Sequence, residues 1–398
     1  METIERLLII SHVCHFGHRE QLSAFGPYAR EIDIWADLFP KVYIASPFRD
    51  EEPPSDCVAF TRSNISIVPQ KETGGTTVRA KMLQVLSVPV LLWGLCRAMR
   101  HADAIHVRCP GNLGLLGAVL APLFSRRIIA KYAGPWNGYE AEAFSEALQR
   151  FVLRSRWWRK GIVTVYGGFP NQPAHIVPFL PAMMTSEQVR KAAMVATEKD
   201  LSTPVRLMFS GRLVDWKGVD VLIRAFKLLV DEDLPFTLTI VGDGPERESL
   251  RRLTEELNLE RQIRFVGAVP YEDVMEWYAK AHILVLPSLR REGWGKVLIE
   301  AMCHGLVCVG SDVDLVPWQL EGRGYVFPSG DARALAAVLK EIVRNPSAYK
   351  PLSLRSAEWA KTYSLEGLKV ALKDLMSERW GMAFEVGAPA AMHSGSKL

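Results

Sequence analysis

Two glutamates, Glu292 and Glu300, stand eight positions apart, with Gly293 and Gly295 just after the first. Carboxylates accept hydrogen bonds from hydroxyl groups such as those of a sugar. The glycines let the backbone approach a ligand closely. The amides that open a helix, here around Lys296 and Val297, lack intrahelical partners and favour an anion. A diphosphate is the natural occupant, with sugar hydroxyls on either side of it. Upstream, Phe209-Ser210-Gly211-Arg212-Leu213-Val214-Asp215-Trp216-Lys217-Gly218 adds two positive charges. Arg212 offers a bidentate fork for phosphate and Lys217 a point charge. Taken alone, either group would be an ordinary solvated loop; their combination on strand ends is what points to a site.

Strands must hold these groups. The apolar run Ile283-Leu284-Val285-Leu286-Pro287 precedes Glu292, and Leu306-Val307-Cys308-Val309-Gly310 follows the segment with Glu300. That order reads as buried strand, loop, helix, buried strand, the unit of a parallel α/β sheet. Glu292 then falls on the loop at a strand's carboxyl end, where ligands of open α/β sheets collect. The same alternation runs through the first half, with candidate strands Leu7–His12, Lys41–Ala45, Ala104–Val107 and Arg127–Tyr132. It restarts at Val205–Phe209, Phe236–Val241 and Ile263–Val266. Two successive runs predict two Rossmann-like domains.

The run Arg291-Glu292-Gly293-Trp294-Gly295-Lys296-Val297-Leu298-Ile299-Glu300-Ala301-Met302 resembles the E-x7-E signature of retaining, nucleotide-sugar-dependent glycosyltransferases of family 4. Their usual form is E-G-F-G-x-x-x-x-E-A-M, and only Trp294 departs from it. The upstream loop resembles their G-R-L-x-x-x-K-G pattern, and Val241-Gly242-Asp243-Gly244-Pro245 their V-G-D-G-P turn. The resemblance implies an α/β fold of the GT-B type: two Rossmann-like domains facing across a cleft, with a C-terminal helix crossing back to the first. It implies that Arg212 and Lys217 hold the donor diphosphate, that Glu292 meets the donor sugar and that Glu300 meets the ribose. Arg212, Lys217 and Glu292 are thereby the catalytic candidates. Gly211, Gly242, Ala268, Val269, Gly293, Trp294, Gly295, Lys296, Val297 and Glu300 would line the donor, Ala268 and Val269 through backbone near the base.

Two departures bear on specificity. The family often has a G-G-x-x-E turn by the donor sugar; here the corresponding residues are Asp314, Leu315 and Trp318. Many members carry a histidine where this chain reads Ala130-Lys131-Tyr132-Ala133-Gly134-Pro135-Trp136. The acceptor-side candidates are therefore His15, His18, Lys131 and Trp136.

Two patterns could suggest a metal. Asp312-Val313-Asp314 has the form of a D-x-D motif, but it follows the last strand of the E-x7-E unit. His12, His15 and His18 have a ligand-like spacing on what reads as the loop after the first strand. Neither outweighs the non-metal reading, so no metal and no cofactor is expected; the nucleotide-diphosphate sugar is a substrate. Arg154-Ser155-Arg156-Trp157-Trp158-Arg159-Lys160 reads either as a helix end with core tryptophans or as a membrane-surface patch.

A chain of 398 residues suits two domains, each able to bury its own core. The expected division is a first, acceptor-binding domain over 1–182, a linker over 183–203, a nucleotide-sugar domain over 204–360, a crossing helix over 361–380 and a flexible tail over 381–398. A net charge of +4 is too mild for a nucleic-acid partner, but an anionic substrate or membrane surface remains compatible. The six cysteines lack C-x-x-C spacing and suit reduced thiols. Met82–Met99 is apolar but interrupted by Pro89, and reads as a core helix with a break. With no leader pattern before Leu7, the expected location is cytoplasmic, with peripheral contact at the inner membrane face open.

The reading is a retaining glycosyltransferase that moves a sugar from a nucleotide-diphosphate sugar to a hydroxyl of a saccharide, lipid-linked or small-molecule acceptor, in polysaccharide or glycoconjugate biosynthesis. The resemblance implies front-face attack, in which the leaving phosphate takes the acceptor proton. A sugar-nucleotide epimerase of related fold and a non-catalytic nucleotide- or carbohydrate-binding protein are the alternatives.

Overall fold

The computed structural model describes residues 4–54, 56–73, 77–139, 142–290 and 292–384. The chain forms two compact units: one runs to Ala182 and resumes at Leu365, the other is Met183–Ser364.

The first unit contains β1 (Arg6–Ile10), β2 (His15–His18), β3 (Gln21–Phe25), α1 (Gly26–Ala36), β4 (Lys41–Arg49), β5 (Cys57–Ala59) and β6 (Ile65–Gln70). It continues through α2 (Val78–Met99), β7 (Ala104–Cys109), α3 (Asn112–Phe124), β8 (Ile128–Tyr132), α4 (Phe144–Arg154), β9 (Ile162–Val165) and β10 (Ile176–Pro178). The second contains α5 (Ser186–Glu198), β11 (Val205–Ser210), α6 (Val219–Val230), β12 (Phe236–Val241), α7 (Arg247–Glu256), β13 (Ile263–Gly267), α8 (Tyr271–Lys280) and β14 (Ile283–Leu286). Its remainder is α9 (Lys296–Cys303), β15 (Val307–Ser311), α10 (Val316–Leu320), β16 (Gly324–Phe327), α11 (Ala332–Arg344) and α12 (Pro346–Ala360). The final helix, α13 (Leu365–Trp380), packs on α1 in the first unit.

Both sheets are built on parallel ladders. In the second unit the strand order is β13-β12-β11-β14-β15-β16, so the sequence doubles back between β11 and β14. That is the point at which doubly wound sheets open a crevice. In the first unit β10-β9-β8-β7-β1-β4 is parallel, β2 adds to β4 in parallel, and β3 and β5 continue from β2 through antiparallel pairs, while β6 also pairs with β4 in parallel. Alternate residues of one strand face opposite layers. Leu7 and Ile9 thus pack with α1 and α13, while Leu8 and Ile10 pack with α2 and α3. The architecture is α/β, with two units each built on a largely parallel sheet.

Several sequence readings change. Of the three histidines assigned to a loop, His12 lies on it, but His15 and His18 belong to β2 of a hairpin, joined to β3 by Arg19 and Glu20, both at positive φ. Two such residues make the mirror-image turn that suits the twist of a hairpin. The segment 183–203 holds α5, started by a capping box in which Thr185 and Gln188 satisfy each other's backbone amides. Met82–Met99 is not a core helix: α2 runs through Pro89 and buries only 22% of that window. Met382 and Phe384 pack against the first unit's core, so the tail is not loose from Gly381 onward; residues 385–398 lie outside the described residues, as does Arg291 of the signature run.

Candidate functional site

In the second unit, the loops after β11 and β14 meet at the switch point. Gly218 sits at φ 63°, and a Cβ there would come within 2.1 Å of the Pro287 carbonyl oxygen. Any side chain would push the loops apart. Leu289 N–H donates to the Trp216 carbonyl at 2.7 Å and fastens them. Gly242 plays the same part beside β11: its φ is 130°, and a Cβ would lie 1.9 Å from the Gly211 carbonyl oxygen. Its N–H donates to the Gly267 carbonyl at 2.8 Å. Gly218 and Gly242 are thus needed for loop stacking, whatever else they touch.

That stacking brings the charged groups together. Lys217 Nζ donates to Glu292 Oε2 at 2.5 Å, with both side chains largely buried. Ser288, fully buried, donates its hydroxyl to the same carboxylate oxygen at 2.7 Å. Ser311 Oγ in turn donates to the Ser288 carbonyl at 2.5 Å. Arg212 is exposed and has no side-chain partner among the described residues. Asp314, at φ 48°, stands next to Glu292. Burial pushes its carboxyl up, the Glu292 amide pulls it back and the Glu292 charge adds to the rise.

Glu300 is buried in α9 and held by two tyrosines of α8. Tyr271 donates to Oε1 at 3.1 Å and Tyr278 to Oε2 at 2.9 Å. Burial and the adjacent Glu300 charge push the Tyr278 phenol far above its ordinary range, so it stays a donor. A carboxylate has about four acceptor positions, and the tyrosines fix the orientation of the group.

The glycines of the signature run are held in turn. Gln319, wholly buried, accepts from Gly295 N–H at 3.0 Å and returns an amide bond to its carbonyl at 3.4 Å. Lys296 N–H bonds the Trp294 carbonyl and Leu298 N–H the Gly295 carbonyl, both at 2.9 Å, so two of the helix-opening amides are engaged locally. Gly293 is buried, while Lys296 and Val297 are half-buried beside it. Trp294 points into an aromatic cluster, 5.6 Å from the rings of both Trp318 and Tyr363. Ala268 and Val269 lie on the turn between β13 and α8, Ala268 exposed and Val269 half-buried. Ser288, Gln319, Tyr271 and Tyr278 were not singled out from sequence. Only the tyrosines left a signal, two turns apart on one helix after the expected base-reading turn.

The acceptor-side candidates belong to the first unit and do not form one group. His15 is buried: Nδ1 lies 2.9 Å from the Val13 carbonyl and 2.8 Å from Ser46 Oγ, and the ring stacks on Phe60. Burial lowers its pKa to about 4, so it is neutral near pH 7. His18 is half-exposed at the hairpin end. Lys131 donates to Glu31 at 2.6 Å, and Arg108 donates to the same carboxylate at 2.8 Å. Against the upward push of burial, those two cations hold Glu31 well below the usual carboxylate range. Trp136 is buried, donates to Gln172 at 3.3 Å and carries Arg154 over its ring.

No three His, Cys, Asp or Glu side chains among the described residues are grouped to hold a metal ion. Asp312 is engaged in a turn, accepting from Ser329 N–H at 2.7 Å.

Residues 195–359 match the family model of glycosyl transferases group 1. Over 169 residues the chain is 32% identical to the amylovoran biosynthesis glycosyltransferase AmsK of Erwinia amylovora, covering 41% of this chain and 42% of that protein. It is 26% identical to a GDP-mannose-dependent alpha-(1-6)-phosphatidylinositol monomannoside mannosyltransferase of Mycolicibacterium smegmatis, over 72% of this chain and 80% of that one. The first relatives it matches are spanned over about two fifths of their length. Among solved structures, sucrose-phosphate synthase from Thermosynechococcus elongatus superposes with a TM-score of 0.70 at 18% identity, over 95% of this chain and 99% of that one. At that identity the likeness speaks for the fold.

Proposed function

We propose that this chain is a retaining glycosyltransferase of family 4 that transfers a sugar from a nucleotide-diphosphate sugar to an acceptor hydroxyl in polysaccharide or glycoconjugate biosynthesis. The observation that carries this is the Lys217–Glu292 contact at the turning point of the second sheet. It joins the basic loop after β11 to the signature run after β14, as one site requires. The relatives' names point the same way.

In this reading Arg212 and Lys217 take the diphosphate, and their charge stabilises the leaving group as the sugar bond breaks. Glu292 supports Lys217 and meets the sugar hydroxyls. Glu300, oriented by Tyr271 and Tyr278, receives the ribose. Asp314, beside Glu292, is where the usual glycine turn is replaced, and it fits a role in choosing the sugar. The leaving phosphate takes the acceptor proton, so no residue serves as a covalent nucleophile. The acceptor, a saccharide or a lipid-linked or small molecule, is assigned to the first unit, in a cytoplasmic setting.

The test is a calorimetric screen of nucleotide sugars, followed by release of free nucleotide from the best binder. Release that depends on added acceptor supports transfer. Release of an isomerised nucleotide sugar would favour an epimerase, and binding without turnover by any acceptor a non-catalytic protein.

A further inference from the structure

The outer surface of the first unit's α2–α3–α4 layer carries a row of exposed apolar side chains. On α2, Leu86 is 72% and Trp93 66% exposed; on α4, Phe144 is 81% and Phe151 71% exposed. Leu123 of α3 and Trp157, in the turn after α4, are exposed between them. The layer is one surface, because α3 packs against both α2 and α4. The Trp157 indole N–H also donates to the Val119 carbonyl of α3 at 2.9 Å. The inner sides of the same helices are apolar as well: Leu91, Leu95 and Met99 of α2 and Leu113, Ala118 and Ala121 of α3 belong to the core. A surface helix normally turns a polar face outward, so a layer that is apolar on both sides implies something covering it.

The charge around that face is one-sided. Arg97, Arg100 and Arg126 are exposed at the ends of α2 and α3, as are Arg156, Arg159 and Lys160 after α4, while the acidic Asp103 and Glu142 nearby are paired with Arg6 and Arg150; Arg108 and Lys131 are buried against Glu31 and do not belong to this surface. Arg97 lies over the Trp93 ring. Where α3 ends, Arg126, Arg127, Lys160 and Arg379 line one cavity whose single carboxylate, Asp103, is held by Arg6 at 2.9 Å. Cations at helix C-termini are common and by themselves indicate nothing. Next to an exposed apolar face that includes two tryptophans, they form the two halves of a surface for anionic lipid.

We infer that the α2–α3–α4 face docks on a bilayer rich in anionic phospholipid, with the apolar side chains entering the interface and Arg97, Arg100, Arg126 and Lys160 meeting headgroups. The sequence left Arg154–Lys160 open between a helix end with core tryptophans and a membrane-surface patch, and the two tryptophans divide: Trp158 is fully buried, its indole N–H bonded to the Ala118 carbonyl at 2.8 Å, while Trp157 faces out. The dominant element is α2. A second copy of the chain fits less well, since a symmetric contact would set the same positive charges against each other. A membrane span is disfavoured too, because α2 would have to withdraw Leu91, Leu95 and Met99 from the core.

This inference stands apart from the donor-site reading, and one set of measurements separates them. The full chain is sedimented with phosphatidylglycerol-containing vesicles and with pure phosphatidylcholine vesicles, at low and high salt. Leu86→Glu with Trp93→Glu and, separately, Arg126→Glu with Lys160→Glu are run alongside. Binding to the anionic vesicles is expected, weakened by salt, and each double variant should lower the partition coefficient roughly tenfold or more. Brominated lipid should quench part of the tryptophan emission, and Trp93→Phe should remove much of that quenching. Calorimetry with a nucleoside diphosphate on the same variants should give unchanged affinity. The inference is overturned by no sedimentation with anionic vesicles at low salt, by unaltered binding of both double variants, or by a wild-type dimer that they dissolve. A chain that binds lipid but no nucleotide would leave it standing and sink the donor reading.

Discussion

Lys217 Nζ and Glu292 Oε2 lie 2.5 Å apart, although 75 positions separate them in sequence. Each largely removes the other's need for water, and Ser288 supplies a second hydrogen bond to the carboxylate. Without a donor, Glu292 therefore neutralises the cation that a diphosphate would engage. Removing one partner leaves a buried charge alone, which is more costly than replacing both. Lys217→Met should lower stability by roughly 2–4 kcal/mol, and Lys217→Met with Glu292→Leu should recover part of that. Urea unfolding of both single variants and the double variant measures the coupling; purely additive losses would mean that the pair does not act as a unit.

The same contact separates binding from turnover. Glu292→Gln should hold or tighten the affinity for a bare nucleoside diphosphate, since it removes the competing anion from Lys217. Transfer should fall, because the sugar loses its acceptor carboxylate. Titration calorimetry and a turnover assay on one preparation decide it: a large loss of nucleotide affinity would remove Glu292 from the sugar side.

Glu300 should behave in the opposite way. Glu300→Ala should weaken the bare nucleoside diphosphate by about 1–3 kcal/mol, the worth of a hydrogen bond to a charged group. Tyr278→Phe, which deletes one of the two hydroxyls that hold the carboxylate, should cost less in affinity while still loosening the site. Nucleotide binding unchanged in Glu300→Ala would leave that carboxylate a purely structural partner of α8.

His15 makes stability depend on pH. Its pKa falls from the ordinary 6.5 to about 4 through burial. The folded state therefore prefers the neutral ring, and this contribution is present above about pH 6.5 and is lost as pH drops toward 4. A shift of that size corresponds to roughly 3 kcal/mol over the whole window. His282 and His304 are lowered to about 4 as well, again by burial, and add to the slope. Urea midpoints at a series of pH values should decline below neutrality, and His15→Phe should flatten part of the decline. An identical slope in that variant would place the proton uptake elsewhere.

Much of the second unit was legible because β14 is an unbroken Ile-Leu-Val-Leu run, the other strands up to β15 are predominantly apolar, and its loops carry glycines that only close approach explains, as at Gly218 and Gly242; the short β16, Gly-Tyr-Val-Phe, was not read. The hairpin of β2 and β3 was not, since its turn uses Arg19 and Glu20 at positive φ where glycine or asparagine would have given a signal. The capping box of Thr185 and Gln188 could have been read and was missed. Ser288, Gln319 and Tyr278 could not: each matters through a partner that only the tertiary structure brings near. The apolar stretch of α2 was visible, but no periodicity distinguishes a core helix from one whose outer face is bare.

Chemistry at this site should need no divalent metal. Charge builds on the leaving diphosphate as the sugar bond lengthens, and something positive must already be in place. Lys217 is fixed by Glu292, and Arg212 is exposed with no side-chain partner among the described residues, so it can turn to a ligand without giving up an ion pair. Asp312 is spent on the Ser329 amide, and the raised pKa of Asp314 reflects burial next to Glu292, a poor start for a cation ligand pair. Arg212→Ala should change stability by less than about 0.5 kcal/mol, as for other surface positions. Its turnover should fall more than its Michaelis constant rises, because the contact strengthens as charge develops. Transfer measured after chelation and desalting should stay near the untreated rate, and Asp312→Asn should leave it there. Activity lost to the chelator and restored by magnesium or manganese would return the carboxylates to the role of metal ligands. Near-normal turnover in Arg212→Ala would mean that the developing charge is met by some other group.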